Sequence, residues 1–398
     1  MSKSHLLFIV PTSDFKGGGD VSLFELLKDC RSRGYKVSVA VPKNGKMMRK
    51  LSEIGCKTLV TNHTLWHPVY NPDKFGLQNV KAIERLTKYI KSKRVDIIIT
   101  NTLQIPWAAL AAAITNKPHI WIAREYPTFG SEYLSERLDF IGRLSNVVIA
   151  NSQNLSKYLG EKIPYKKVLS FYSYVNPGEV NLSTSSKPQE LICVGNINSN
   201  KGQMTLVKAL YVLKKKYQLD INLRLIGSIN KHDPYTKSLY KYVADHKLSN
   251  NVIFIQPSES ESIGRIIIQG TLAGLVCIGS NIPGIKEGFS LSGAGVLYES
   301  KNHEDLAEKI HMVLSDFTHH KKRAILGREK LKSRLTLSRC HEGFFKALSS
   351  IKSTDNNGSY YLQSVSDYFF KSLSALEGNL KDRKKEIEGL HERLDYIS

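Results

Sequence analysis

Two stretches combine residue types that suit the binding of a phosphorylated ligand. In the first, LICVGNINSNKGQMTLVKAL, the apolar run 191–194 ends at Gly195 and helical patterning resumes after Lys201-Gly202. In the second, PSESESIGRIIIQGTLAGLVCIGSNIPGIKE, Glu261 and Gly264 precede a helix-like stretch and 275–278 forms the next apolar run. A cation, a carboxylate and turn glycines at the ends of apolar runs are how an α/β domain presents donors to phosphates, because strand ends and helix N-termini converge there. Taken alone, the Lys201-Gly202 pair also reads as a surface lysine and a turn glycine before a helix.

These stretches resemble the donor-binding half of the retaining GT-B glycosyltransferases of family 4, whose pattern is roughly VGR-xxxx-KG followed by E-x-FG-xxxx-EA-xxxG. Lys201, Gly202, Glu261, Gly264, Ala273-Gly274 and residues 283–287 fall where the motifs place them, and the likeness covers roughly the first 350 residues. Asn196 stands at the usual arginine position, Gln269 replaces the second glutamate, and the interval from Asn251 to Glu259 is short. The short interval leaves two readings: residues 252–255 are the strand that leads into PS-x-x-E, or the domain lacks a βα unit beside its nucleotide pocket, which would expose sheet edges.

The resemblance implies an α/β fold of the GT-B type, with two Rossmann-like doubly wound domains facing a cleft and a C-terminal helical tail. It implies transfer of a sugar from a nucleotide-sugar donor to a polysaccharide or lipid-linked acceptor with retention of configuration, the diphosphate itself taking the acceptor proton. No metal or other cofactor is expected. Lys201 and Glu261 become the catalytic pair: Lys201 neutralises the diphosphate, and Glu261 accepts hydrogen bonds from the donor sugar. The donor-binding set is Gly195, Asn196, Gly202, Gly227, Ser262, Ile263, Gly264, Arg265 and Gln269. Asn196 donates a hydrogen bond but no charge, so Arg265 is the substitute cation, while the Gln269 amide accepts more weakly than a carboxylate at the ribose. Beside these roles stands a plainer reading, in which Ser260-Glu261 caps a helix and Gln269 lies on its polar face.

On the acceptor side the glycines of KGGGD, Gly17, Gly18 and Gly19, follow the first apolar run and open a helix, either as a surface loop or as backbone donors facing the cleft. Asn101-Thr102 and Arg124-Glu125 follow the apolar runs 95–100 and 119–123. Arginine is no general base at pH 7, so Arg124 binds an anion or hydroxyl or pairs with Glu125. His63 and His67 share a four-residue offset but lack a third ligand, so no metal site is assigned.

The elements that must position these residues follow from patterning. Short apolar runs at 5–10, 36–41, 95–100, 119–123 and 147–150 alternate with helix-length segments, which implies parallel βαβ units. The polar stretch NLSTSSKP (181–188) reads as a linker between residues 1–180, the acceptor-side domain, and 189–351, the nucleotide-sugar domain. Residues 352–398 carry a polar segment and an amphipathic or coiled-coil pattern, fit for docking on the protein itself or for oligomerisation.

Composition narrows the partners. A chain of 398 residues exceeds one economical core, and 57 Lys+Arg against 36 Asp+Glu give a formal charge of +21. Such an excess favours nucleotide phosphates and peripheral contact with an anionic membrane; nucleic acid is not expected, since the basic residues are spread along the chain without a compact module. No spanning or signal segment is legible, and five scattered cysteines suit reduced, buried packing, so the expected location is cytoplasmic, at or near the inner membrane face. The departures at Asn196 and Gln269 support a second hypothesis, a catalytically degenerate GT-B subunit acting as a binding or scaffold partner.

Overall fold

The computed structural model describes residues 3–15, 18–65, 72–127, 131–183, 185, 190–219, 221–227, 230, 232–246, 254–256 and 265–351. Its first half alternates β1 (His5–Ile9), α1 (Gly18–Ser32), β2 (Lys36–Val41), α2 (Lys46–Glu53), β3 (Lys57–Val60), α3 (Pro72–Lys93), β4 (Ile97–Thr100), α4 (Trp107–Ile114), β5 (His119–Ala123), α5 (Ser131–Arg143), β6 (Val147–Ala150), α6 (Gln153–Lys162) and β7 (Val168–Ser170). The second half runs β8 (Leu191–Val194), α7 (Gln203–Lys216), β9 (Leu223–Ile226), α8 (Pro234–Asp245), β10 (Phe254–Gln256), α9 (Arg265–Leu272), β11 (Cys277–Ser280), α10 (Pro283–Ser292), β12 (Val296–Tyr298), α11 (His303–Ser315), α12 (Phe317–Arg334) and α13 (Leu337–Ser350).

These strands form two parallel sheets. Seven are ordered β3-β2-β1-β4-β5-β6-β7 and five are ordered β12-β11-β10-β8-β9. Strands β1, β4, β5 and β6 are buried at every residue, because helices cover both faces of a parallel sheet; the polar side chains they do carry are hydrogen-bonded, as His5 is to Ser38 and Thr100 to His119. Phe8 lies opposite Val39 on β2 and Ile99 on β4, and these residues share one of the two cores flanking the sheet. Cys193 and Cys277 are packing residues of the second half; burial pushes both thiols up to about 12.

The short interval before PS-x-x-E is resolved by pairing. β10 lies between β8 and β11, parallel to both, so it is the strand that leads into that segment, and the centre of the sheet is intact. The edge falls on β9, where Arg224 pairs with Glu190 and Ile226 is exposed. A charged side chain on an outer strand discourages edge-to-edge pairing.

The end of the unit expected at 189–351 crosses back to the first sheet. α12 still packs in the second half, with Leu331 and Leu335 against Ile268 and Leu272, whereas α13 joins the core of the first. Phe344 stacks on Phe8 with ring centroids 6.0 Å apart, and Gly343 lies so close to β7 that a Cβ there would overlap the Ser170 carbonyl. Buried His341 Nδ1 meets Asp29 Oδ2 at 2.8 Å, and Asp29 also accepts from Arg33 Nε at 2.7 Å. Among the described residues no helix is long and apolar enough to cross a membrane. If α13 is part of the N-terminal core, Phe344→Ala destabilises the whole protein by about 3–5 kcal/mol, read as a lower urea midpoint; a loss under about 1 kcal/mol would place α13 outside it.

Candidate functional site

In each sheet the strand order reverses beside the first strand of the unit, between β1 and β4 and between β8 and β10. Loops leaving neighbouring strands in opposite directions open a crevice at such a point. Among the described residues, Gly195 follows β8, Asn101 follows β4 and Arg124 follows β5, at the strand ends beside these crevices.

At the second sheet the turn after β8 is built from backbone proximity. Gly195 N–H donates to the Ile226 carbonyl at 2.7 Å, and a Cβ at Gly227 would overlap the Gly195 carbonyl, so only glycine lets the two loops touch. Asn198 then accepts from Lys201 N–H at 3.2 Å, closing a 3-10 turn that ends at Gly202 in the left-handed region, φ 64°. Because Gly202 has no side chain to cap α7, the helix depends on other groups for its first N–H donors; Tyr235 Oη accepts from Met204 N–H at 2.9 Å. Gln203 Nε2 holds the Asn196 carbonyl at 3.0 Å. The half-buried Lys201 lays its stem over Gly195, with Cδ 3.6 Å from where a Cβ would stand, while Asn196 is exposed. The result is one ammonium group beside a helix N-terminus, a geometry that attracts phosphate.

Across the first sheet the segments after β4, β5 and β7 meet α1. Arg124 Nε donates to Asn101 Oδ1 at 2.7 Å and its NH1 donates to Ser22 Oγ of α1 at 2.9 Å, while Ser22 Oγ donates to Ser173 Oγ at 2.8 Å. The guanidinium carbon stands 5.4 Å from the Phe171 ring centroid. Burial brings the Arg124 pKa down to about 10, opposed by the charge of Glu125 and aided by that of Arg265. Glu125 turns elsewhere: it accepts from Thr102 Oγ1 at 2.8 Å and Leu103 N–H at 3.2 Å, and burial raises its pKa against those bonds. Of the two readings of Arg124, the described hydrogen bonds give it and Glu125 separate partners.

Arg265 and Glu287 connect the halves. Arg265 NH1 donates to the Tyr174 carbonyl at 2.9 Å, and a Cβ at Gly18 would stand 3.2 Å from its Cδ. This sets Arg265, expected beside the diphosphate, against the opening turn of α1. The buried Glu287 carboxylate accepts from Gln153 N–H at 2.7 Å, Asn154 N–H at 3.0 Å, Asn154 Nδ2 at 2.7 Å and Tyr172 Oη at 2.9 Å. A carboxylate from α10 therefore caps α6 of the other half, where the helix dipole favours negative charge.

Other expected positions are less informative. Gly17, Glu261, Ser262, Ile263 and Gly264 lie outside the described residues; β10 and α9 flank the last four. Gln269 is half-buried on α9, and Gly19 faces open space. Both ring nitrogens of His63 are engaged, with Thr61 Oγ1 at 2.6 Å and the Val10 carbonyl at 2.9 Å, and His67 is outside the described residues. A cavity of about 280 Å³ under α8 is lined chiefly by apolar residues such as Ile197, Val207, Leu225 and Leu239; it offers packing but no cation for a phosphate.

Residues 16–176 match the family model Glycosyltransferase Family 4, and 188–316 match Glycosyl transferases group 1. HepE of Anabaena, solved with UDP and glucose, superposes with a TM-score of 0.71 at 18% identity, covering 88% of this chain and 100% of that one. The chain has a GT-B fold, and its two halves each match a glycosyltransferase family model. A glycosyltransferase from Rickettsia africae has the same TM-score of 0.71 at 22% identity, covering 90% of this chain and 100% of its own. A D-inositol 3-phosphate glycosyltransferase of Paenarthrobacter aurescens is 21% identical over 146 residues, 32% of this chain and 35% of that relative's length.

Sequence reasoning gave no role to Ser22, Tyr172 or Ser173. Glu287 lay within a matched motif, yet nothing in its spacing indicates a partner 134 residues away. With the halves joined through that carboxylate, Glu287→Gln removes the charge and lowers stability by about 1.5–3 kcal/mol; an unchanged urea midpoint would mean that the charge adds nothing to the junction.

Proposed function

We propose that the protein transfers a sugar from a nucleoside diphosphate donor to a hydroxyl of a glycan or lipid-linked acceptor, with retention of configuration and without a metal. The observation that carries this reading is the turn after β8, where Lys201 overlies Gly195 at the start of α7. Residues 189–351 supply the donor side, with α13 returning to the other half, and residues 1–180 supply the acceptor side. Since HepE was solved with UDP and glucose, UDP-sugars are the first donors to test.

In the proposed step the acceptor oxygen attacks the anomeric carbon from the face that the diphosphate leaves. The bond from that carbon to the phosphate oxygen breaks as the new glycosidic bond forms, and the acceptor proton passes to the departing oxygen. Charge builds on the diphosphate, where the Lys201 ammonium and the N-terminal dipole of α7 stabilise it. Positive character builds on the sugar, where Glu261 accepts hydrogen bonds from its hydroxyls. Gly227 and Gly195 keep the turn close enough for backbone contact, with Asn196 as a neutral donor beside it, and Gln269 serves the ribose. Asn101, Thr102 and Arg124, with Glu125 fixing the Thr102 loop, shape the opposite wall.

The test is thermal unfolding of the folded chain with UDP, GDP, dTDP and their sugars. One nucleotide should raise the midpoint, since a ligand at 100 times its Kd adds about 2.7 kcal/mol. No shift with any nucleotide would sink the reading. Lys201→Ala should lower the transfer rate by about 10²- to 10³-fold, and undiminished turnover would remove Lys201 from the mechanism.

A further inference from the structure

Two guanidinium groups, one from each half of the molecule, meet one face of α1. Gly18 and Ser22 are four residues apart, so they lie on the same side of the helix about 6 Å along its axis. Arg265 crosses α1 at Gly18, where a Cβ would stand 3.2 Å from its Cδ. Arg124 meets the next turn, donating to Ser22 Oγ at 2.9 Å. The pair is close enough for the charge of Arg265 to weigh on Arg124, and burial holds both guanidiniums below their usual range.

Like charges at such a separation repel, and more strongly away from bulk water. Nearby carboxylates partly offset this, but several have donors of their own: Glu125 takes Thr102 and Leu103 N–H, Glu25 takes Lys28 Nζ at 2.9 Å, and Glu179 takes Asn176 Nδ2 at 3.1 Å. Asp20, in the first turn of α1, adds a further negative charge toward Arg124. The described contacts of Lys201 lie in the turn after β8. A donor diphosphate held there has its own cation, and the two arginines form a second positive centre.

We propose that Arg124 and Arg265 form a subsite for an acidic group, a carboxylate or phosphate, carried by the transferred sugar or by the acceptor. The inference rests on the proposed transfer reaction and narrows its substrate class. Arg124 engages Asn101 and Ser22 through Nε and NH1, and Arg265 engages Tyr174 through NH1. A guanidinium carries five N–H donors in a planar fork, more than these bonds use, and such a fork suits the oxygens of one anion. An anion between the forks also replaces repulsion with two attractions. Because Arg124 is anchored by Asn101 and Arg265 by the Tyr174 carbonyl, little side-chain freedom remains to be lost on binding.

The experiment is calorimetric titration of the full chain, as wild type, Arg124→Gln and Arg265→Gln, with UDP, UDP-glucose and UDP-glucuronate. A second arm titrates glucuronate and glycerol 3-phosphate into UDP-saturated protein. An acidic group on the sugar gives UDP-glucuronate roughly a tenfold to hundredfold advantage over UDP-glucose, falling to about unity in both variants. An acidic group on the acceptor gives no donor preference, but free-acid binding that both variants lose. Arg124→Lys and Arg265→Lys, which keep the charge and lose the fork, should be intermediate. Equal weakening of all three nucleotides by both substitutions would make the arginines diphosphate ligands and overturn the proposal, as would no discrimination in either arm. If folded wild type binds no nucleotide, the transfer reading fails separately; the free acids are then titrated into the unliganded protein, where binding lost in both variants keeps the subsite and no binding removes it.

Discussion

The two sheets act on one another only because they are held at a fixed separation, and a buried carboxylate is central to that constraint. Removing Glu287 from water is costly unless the charge is fully hydrogen-bonded. Its four donors all come from α6 and Tyr172 of the first half, so the carboxylate is satisfied only when the halves meet in this register. α13 reinforces the arrangement by carrying the chain back under the first sheet, with Phe344 in the core and His341 on Asp29. Asp29 and Ser22 both belong to α1. α1 is thus gripped by the returning helix at one end and by Arg265 and Arg124 at the other.

This arrangement explains why glycine matters at particular points. Gly227 touches Gly195 and Gly343 touches Ser170, where backbone occupies the space of a side chain, while at Gly18 a Cβ would meet the Arg265 stem in a tight contact. Gly202 serves differently, by adopting the left-handed conformation that turns the Lys201 loop into α7. The overall charge of +21 then has a local counterpart, with Lys201 on one wall and Arg124 and Arg265 at the other.

The strands were the most legible part of the sequence. The runs at 36–41, 119–123 and 147–150 begin and end with β2, β5 and β6, because a parallel strand buried on both faces is a predominantly apolar run with few polar residues. α10 gave no such signal: PGIKEGFSLS contains two glycines, and tertiary contacts such as Ile285 and Phe289 in the core override its weak helical preference. α13 was expected to close the second unit, and no local pattern says that Phe344 and Leu348 are buried under the first sheet instead. The same limit applies to the site. Lys201 and Gly202 stand out because their chemistry is local, whereas the meeting of Arg265 with Gly18 and of Arg124 with Ser22 depends on pairs 247 and 102 residues apart, which no local pattern encodes.

The central claim is that a nucleotide diphosphate sits at the start of α7 and faces α1. Amide hydrogen exchange of the full chain, with and without saturating UDP, tests it most directly. Slower exchange is expected in the turn from Asn196 to Thr205 and at Ile226-Gly227, with a smaller effect over the first turns of α1. Protection confined to the apolar cavity under α8, with the Lys201 turn unchanged, would contradict it.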